Sequence, residues 1–127
     1  MKFISLQHIS IEDPGTFKDF LIEDGHSITT IQLDEGDSIP NNLDEFDAML
    51  CMGGPMDTFM EDQYPWLVAE KKAIGEYVLN LKKPFLGFCL GCQLLGEVLG
   101  GKVVESKPPE IGVLDINIEA GAKTDHI

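Results

Sequence analysis

The chain has 127 residues, with 22 acidic side chains against nine lysines, no arginine and a formal net charge of −13. A surface with this charge repels nucleic acid and anionic membranes, and the sequence has neither a basic cluster nor a run of about 18 apolar residues. Hydrophobic residues make up 43% of the chain, which is typical of one globular domain spanning 1–127 and excludes a disordered or fibrous protein.

Cysteine usage predicts the compartment. Three cysteines, an odd number, indicate a reducing environment and not a set of structural disulfides. The first residues begin as a signal peptide does, but polar side chains interrupt the apolar run within a few positions. The sequence therefore predicts a cytoplasmic protein with no nucleic-acid or membrane partner.

Short apolar segments alternate with helical patterns along the chain. Strands are predicted at 2–7, 28–33, 48–52, 85–88, 102–105 and 113–118. Helices are predicted to begin at Asp13-Pro14, near Pro65 and at Gly91, and the acidic stretch 34–47 is predicted to be an exposed loop. This order is typical of an α/β fold with a mostly parallel sheet and helices on both faces.

The helix after Pro65 is predicted to be amphipathic. Its apolar face is expected to carry Leu67, Ile74, Val78 and Leu81. Its solvated face is expected to carry Glu70, Lys71, Glu76 and Lys82.

Two glycine-rich turns follow predicted strands, at Gly53-Gly54-Pro55 and at 87–91. In parallel sheets the carboxyl ends of the strands lie at one edge, and ligands bind there. The convergence of these turns is the main functional signal in the sequence.

The second turn, Gly87-Phe88-Cys89-Leu90-Gly91, has the small-x-nucleophile-x-small form of a strand-to-helix elbow. Such a turn lifts the thiol to its tip and leaves it at a helix N-terminus, where N–H groups favour the thiolate. The N–H groups of Leu90 and Gly54 could then form an oxyanion hole. On this pattern alone, a structural cysteine that closes a tight turn is an equally good interpretation.

Several segments, in order along the chain, carry a family resemblance. They are 50–56, Tyr64-Pro65-Trp66, 83–95 with its Gly-Phe-Cys-Leu-Gly-Cys-Gln string, Gly100-Gly101-Lys102-Val103 and Glu110-Ile111-Gly112. With these segments the chain resembles the class I glutamine amidotransferases, in particular the amidotransferase domain of GMP synthase. The resemblance implies a flavodoxin-like α/β fold.

The resemblance also implies a reaction, in which a Cys-His-Glu triad hydrolyses the side-chain amide of glutamine. Cys89 would be the nucleophile, and Leu90 and Gly54 would supply the oxyanion-hole N–H groups. Gln93 would help to hold the substrate glutamine, and Met56, just after the glycine turn, is expected to line the pocket. Ammonia would pass to an acceptor on a synthase domain or subunit. No metal or other cofactor is expected.

The chain departs from the family pattern in its histidines. The family's His-x-Glu motif lies well past the elbow, and none of His8, His26 and His126 has a glutamate two residues later. We expect His8 and His26 to be structural or solvated and His126 to be a terminal residue without a catalytic role. The chain is therefore expected to be the amino-terminal part of a longer amidotransferase, with an incomplete sheet that favours self-association or a homodimer.

Other functions remain open on the sequence. A chain without the histidine could be an inactive amidotransferase-fold module that binds a partner. Cys89-Leu90-Gly91-Cys92 is also a C-x-x-C pair at a helix start, as in thiol redox proteins. Other cysteine-elbow hydrolases or peptidases share the turn. A zinc site is possible by residue count, but only one cysteine pair has ligand spacing.

Overall fold

The computed structural model describes residues 1–109, 111–118 and 121–122. Its sheet has four parallel strands in the order β2-β1-β3-β4. The strands are β1 Lys2–Gln7, β2 Ser27–Gln32, β3 Ala48–Cys51 and β4 Phe85–Gly87. The helices are α1 Thr16–Glu23, α2 Trp66–Gly75 and α3 Leu90–Val98; a 3₁₀ turn, Leu33–Glu35, follows β2 and a π-helical turn, Glu76–Asn80, extends α2.

The sheet separates two apolar cores, because successive side chains of a strand point to opposite faces. On one face, Ile4 and Met49 pack with residues of α2 and α3 such as Ile74. On the other face, Phe3 and Leu50 pack with side chains that include Leu21 of α1. The predicted α/β fold, with a parallel sheet and helices on both faces, is therefore confirmed.

The first helix begins later than predicted. Asp13 does not cap it; its carboxylate accepts a hydrogen bond from the N–H of Gly15 at 3.0 Å, within the preceding turn. Gly15 is the N-cap, with φ 52°, and the helix runs from Thr16. The acidic side chain thus stabilises the turn before the helix and not the helix itself.

The loop 34–47 is only partly exposed, which corrects its prediction. Leu43 and Phe46 are buried in the core. Tyr77 donates a hydrogen bond to the carbonyl oxygen of Phe46 at 3.0 Å, so this segment is held against the helical layer.

The strands predicted at 102–105 and 113–118 do not form in the described part of the chain, where 102–109 and 111–118 contain no strand. Their apolar side chains are exposed, among them Val104, Val113 and Ile116. Alternation of apolar residues produces a strand only where a neighbouring strand pairs with it. The described residues provide no such partner here. They also include no helix long and apolar enough to cross a membrane.

Candidate active site

Cys89 lies at the tip of the turn that joins β4 to α3. It is the N-cap of α3, with φ 49° and ψ −106°, and its thiol is free and exposed. A positive φ at a residue other than glycine is uncommon and strained, and Lys82 is the one other such residue in the described part of the chain. The predicted elbow is therefore present, and the sulfur is accessible to a ligand.

The glycines on either side of the elbow are required by close backbone approach. A β-carbon on Gly87 would lie 2.5 Å from the carbonyl carbon of Gly91. A β-carbon on Gly91 would overlap the carbonyl oxygen of Cys51 in β3. Both neighbours are main-chain atoms, which cannot move aside as a flexible side chain can.

The glycine turn after β3 lies directly beside the elbow. A β-carbon placed on Gly53 would be 3.5 Å from the β-carbon of Cys89. One placed on Gly54 would be 3.0 Å from the sulfur of Met56 and 3.2 Å from a methyl group of Leu90. The fold thus gathers four of the five predicted site residues into one cluster, although Met56 itself is buried.

Two main-chain amides at this cluster have no hydrogen-bond acceptor among the described residues. The N–H groups of Gly54 and Leu90 donate to no atom among the described residues, whereas those of Gly91 and Gln93 are bonded. The fifth predicted residue, Gln93, lies in the first turn of α3 with its side chain exposed, and its N–H donates to the carbonyl oxygen of Cys89 at 3.2 Å. Free N–H groups beside a thiol are the donors that an oxyanion requires.

Cys92 lies one turn along the same helix. Its thiol is exposed and free, as that of Cys89 is. Both thiols of the C-x-x-C pair are therefore accessible to solvent. A measurement of their reactivity decides between a thiol redox pair and a single nucleophile at Cys89.

A buried ion pair lies behind the glycine turn. His8 and Glu70 are both 0% exposed, and His8 Nε2 lies 2.7 Å from Glu70 Oε1. The other ring nitrogen, Nδ1, lies 2.8 Å from the carbonyl oxygen of Gly53. A carbonyl can only accept, so Nδ1 carries a proton and donates it. The ring also stacks on Trp66, with centroids 5.3 Å apart.

The surroundings of His8 favour its charged form. Burial by itself lowers the pKa of His8, but the hydrogen bond and the charge of Glu70 outweigh burial, with smaller contributions from Gly53 and Glu12, so the pKa is raised. His8 is therefore buried and hydrogen-bonded, and not solvated. Both ring nitrogens are engaged, and the ring is not free to act as a general base.

Glu70 was predicted on the solvated face of α2, and that prediction is wrong. Leu67, Glu70, Ile74 and Tyr77 are all fully buried. Their spacing of three and four residues places them on one helix face, so the position of Glu70 within the apolar stripe was the available signal. A charged side chain in such a stripe requires a buried partner, and His8 provides it.

Other charged residues of this helix follow the prediction more closely. Glu76, in the π-helical turn, is exposed; Lys82 is also exposed but lies beyond that turn, with φ 54°. Lys71 is partly buried, and its ammonium group bridges Glu61 at 2.8 Å and Glu97 of α3 at 2.9 Å. This bridge ties α2 to the helix that carries the elbow.

One cluster has the residue types of a metal site. Ligand atoms of His8, Cys51 and Glu70 lie within 4.8 Å of one another. The Cys51 thiol donates to Glu70 Oε1 at 3.3 Å, and Oε2 of that glutamate has no partner among the described residues. Burial, with the neighbouring charge of Glu70, raises the pKa of Cys51 well above its usual range. A metal ion binds a cysteine as the thiolate, and the raised pKa keeps the Cys51 thiol protonated. The cluster is therefore better suited to its internal hydrogen bonds than to a bound cation.

Sequence reasoning also missed Glu12. Its half-buried side chain contacts Gly53 at the point where a β-carbon would project, next to the β-carbon of Cys89. The carboxylate therefore belongs to the rim of the site. It lies in the segment before α1, where no local pattern distinguishes it from the other acidic residues.

The remaining histidines lie away from the site or outside the described residues. His26 Nδ1 is 3.2 Å from the N-terminal amine, and its ring stacks on Phe3 with centroids 5.7 Å apart. His126, like Glu110 of the family resemblance, is not among the described residues.

Comparison with known proteins gives the family of the chain. The profile of the family described as "Glutamine amidotransferase class-I" matches residues 17–124. The chain belongs to the class I glutamine amidotransferases. The glutamine amidotransferase-like protein YfeJ of Salmonella typhimurium is 35% identical over 120 residues, which cover 91% of this chain and 50% of that protein. A glutamine-hydrolyzing GMP synthase subunit of Sulfurisphaera tokodaii is 40% identical over 79 residues, or 60% of this chain and 37% of that protein.

Solved structures give the same family. A glutamine amidotransferase from Methylobacillus flagellatus superposes with a TM-score of 0.79 at 32% identity, covering 87% of this chain and 43% of that one. The Thermotoga maritima glutamine amidotransferase gives 0.74 at 34% identity, covering 79% and 43%. The chain thus spans half or less of the length of these relatives.

Proposed function

We propose that this chain provides the nucleophile and the oxyanion hole of a glutamine-hydrolysing site. The observation that carries the proposal is the strained, exposed Cys89 at the start of α3, beside two N–H groups, of Leu90 and Gly54, that have no acceptor among the described residues. A free thiol, two adjacent donors and an open rim are the groups that acyl transfer from an amide requires.

The proposed reaction has two steps. The Cys89 thiolate attacks the side-chain carboxamide carbon of glutamine, and the negative charge that develops on its oxygen is stabilised by the two amides. The carbon–nitrogen bond then breaks, the nitrogen takes a proton and leaves as ammonia, and a glutamyl thioester remains. Water attacks the thioester, which releases glutamate and returns the thiol.

The substrate contacts follow from position. Gln93 is exposed one turn beyond Cys89, where its amide group can reach a bound glutamine. Met56 is buried against Gly54. We therefore propose that it packs behind the glycine turn and lines the pocket only through that turn.

The general base is proposed to come from a segment that this sequence does not contain. None of the three histidines has the His-x-Glu pattern, and His8 is committed at both nitrogens. The relatives are about twice as long as the matched region or longer, so they have room for such a segment. Without a base and leaving-group acid, we expect the 127 residues alone to turn over glutamine slower by a factor of about 100 to 10,000.

The partners are proposals of the same kind. The GMP synthase relatives are named as glutamine-hydrolyzing subunits, which suggests a synthase domain or subunit to accept the ammonia.

A homodimer is proposed through the groove lined by Phe3, Phe17 and Phe85 beside the edge strand β4. Sedimentation as a clean monomer at high concentration would contradict it. Three free cysteines suit the cytoplasm, the proposed compartment.

Labelling with a glutamine-analogue electrophile tests the function. We expect a single adduct at Cys89, lost in Cys89→Ala and retained in Cys92→Ser. An adduct that requires both thiols would favour the redox pair. The absence of an adduct, while iodoacetamide still alkylates Cys89, would contradict a glutamine site and favour the inactive interaction module.

A further inference from the structure

The buried pair His8–Glu70 lies behind the candidate oxyanion hole and contacts its main chain. His8 Nδ1 donates to the carbonyl oxygen of Gly53 at 2.8 Å, and that carbonyl belongs to the same peptide group as the Gly54 N–H. The only cis peptide among the described residues lies elsewhere, between Lys107 and Pro108, so the Gly53–Gly54 peptide is trans.

In a trans peptide the carbonyl and the N–H point in opposite directions within one rigid plane. A hydrogen bond that holds the oxygen of Gly53 toward His8 therefore directs the N–H of Gly54 away from the buried pair. Glycine at both positions would otherwise allow this peptide plane to rotate, because glycine has access to a wide range of φ and ψ. If the Gly53–Gly54 peptide were not restrained, the Gly54 N–H would no longer point in one fixed direction.

Glu70 holds the imidazole in place. It binds Nε2 at 2.7 Å, is itself fully buried, and receives a second hydrogen bond from the Cys51 thiol at 3.3 Å. Stacking on Trp66 fixes the plane of the ring. The imidazole cannot rotate without breaking these contacts, so α2 is connected to the glycine turn through one side chain.

We propose that His8, oriented by Glu70, is a positioning residue that holds the Gly53–Gly54 peptide so that the Gly54 N–H faces the oxyanion formed at Cys89. This inference rests on the proposed function, since it assigns the pair a role in that site. His8 does not touch the substrate; it acts through one carbonyl group. Its loss should slow only reactions that pass through an oxyanion.

Two reactions of the same thiol separate positioning from nucleophilicity. Acylation of Cys89 by an activated γ-aryl ester of glutamate passes through an oxyanion and needs no acid for its leaving group. Alkylation by iodoacetamide is a displacement at a saturated carbon and forms no oxyanion. The ratio of the two rate constants therefore reports on the oxyanion hole.

Each of two substitutions of His8 keeps one of its hydrogen bonds and removes the other. In His8→Asn the side-chain amide nitrogen takes the place of Nδ1, so the bond to Gly53 is kept and the bond to Glu70 is lost. In His8→Gln the amide nitrogen takes the place of Nε2, so Glu70 keeps a partner while Gly53 loses its donor. We expect the ratio to fall about 100-fold in His8→Gln, the effect of losing one oxyanion-hole donor, and less than about 10-fold in His8→Asn.

Tyr77→Phe is the matched control. It also removes a buried hydrogen bond from the same face of the helical layer, the one from Tyr77 to Phe46, but does not touch the glycine turn. We expect it to leave the ratio unchanged. Equal ratios in His8→Gln and wild type, with wild type acylated, would overturn the positioning role and leave the proposed function standing.

A second measurement does not depend on acylation, and its wild-type value requires no variant to fold: a disordered Gly53–Gly54 peptide in wild type would overturn the positioning. With ¹³C at the Gly53 carbonyl and ¹⁵N at the Gly54 amide, NMR relaxation reports the order of this peptide directly. We expect high order in wild type, the largest loss of order in His8→Gln, and a smaller loss in His8→Asn and in Glu70→Leu, which both lose the contact between residues 8 and 70. If wild type is alkylated but never acylated, the proposed function fails; unchanged order in the variants would overturn the positioning itself.

Discussion

The α-carbon of Gly91 lies against the main-chain carbonyl of Cys51, closely enough that a β-carbon there would overlap the oxygen. This contact joins the start of α3 to the end of β3, and it brings the elbow next to the glycine turn. The N–H of Gly91 also donates to the carbonyl oxygen of Met52 at 3.2 Å. The geometry of the candidate site therefore depends on one position where no side chain fits.

The first prediction concerns that position. Gly91→Ala is expected to destabilise the fold by about 3 kcal/mol or more, because the clash is with main-chain atoms and is resolved only by moving α3. Gly96→Ala, in the same helix with open space around it, is expected to stabilise by about 0.5–1 kcal/mol. Urea denaturation of both variants measures the difference. Similar stabilities for the two would show that the close approach is not real.

The second prediction concerns strain at Cys89. Its φ of 49° costs a side-chain-bearing residue about 1–3 kcal/mol, which glycine does not incur. We expect Cys89→Gly to be more stable than Cys89→Ala by about 1 kcal/mol, although glycine is ordinarily the less stable of the two. Both variants should lose all labelling. Thermal unfolding compares them, and an alanine variant at least as stable as the glycine variant would contradict a strained elbow.

The third prediction separates two glutamates that the sequence analysis places together on the solvated face of the helix. Glu70→Ala leaves the imidazole of His8 buried without its partner and is expected to cost about 3–5 kcal/mol. Glu76→Ala, at an exposed position, should change stability by less than about 0.5 kcal/mol. Denaturation midpoints under identical conditions test this. A small effect at Glu70 would indicate that the buried pair contributes little to the fold.

The fourth prediction concerns pH. The pKa of His8 is raised in the folded state above 6.5, so its pairing with Glu70 contributes fully below that value and is lost as pH rises through the folded pKa. The stability difference between wild type and His8→Asn should therefore shrink as the pH rises above 6.5 and through the folded pKa. Burial raises the pKa of Tyr77 to about 12, so the effect of Tyr77→Phe should stay constant over this range. If the stability difference between wild type and His8→Asn instead grows with pH, the pair with Glu70 does not contain the charged form of His8.

Local patterns were sufficient for the part of the fold that carries the elbow. The four observed strands lie within one residue of their predicted bounds, and Cys89 lies at the start of a helix as expected. These features depend on short-range sterics and apolar periodicity, which a single sequence displays. The site residues Gly54, Leu90 and Met56 came together for the same reason, since both turns follow neighbouring parallel strands.

Features that depend on a distant partner could not be predicted. Glu70 is separated from His8 by 62 residues, and only the fold shows that a charged side chain in the apolar stripe meets an imidazole. The segment around Val104 is apolar and the segment around Val113 alternates as a strand does, but neither has a described neighbour with which to pair. Glu12 reaches the rim of the site from a segment without a pattern. In each case the deciding interaction is long-range.

The most direct test of the proposed site is protection of Cys89 by the substrate. The rate of labelling by a glutamine-analogue electrophile is measured at increasing L-glutamine, with D-glutamine as the matched control, and the adduct is mapped by mass spectrometry. We predict that L-glutamine suppresses labelling of Cys89 to saturation and that D-glutamine does not. Labelling that is indifferent to L-glutamine, or that falls equally on Cys92, would contradict a glutamine site at the elbow.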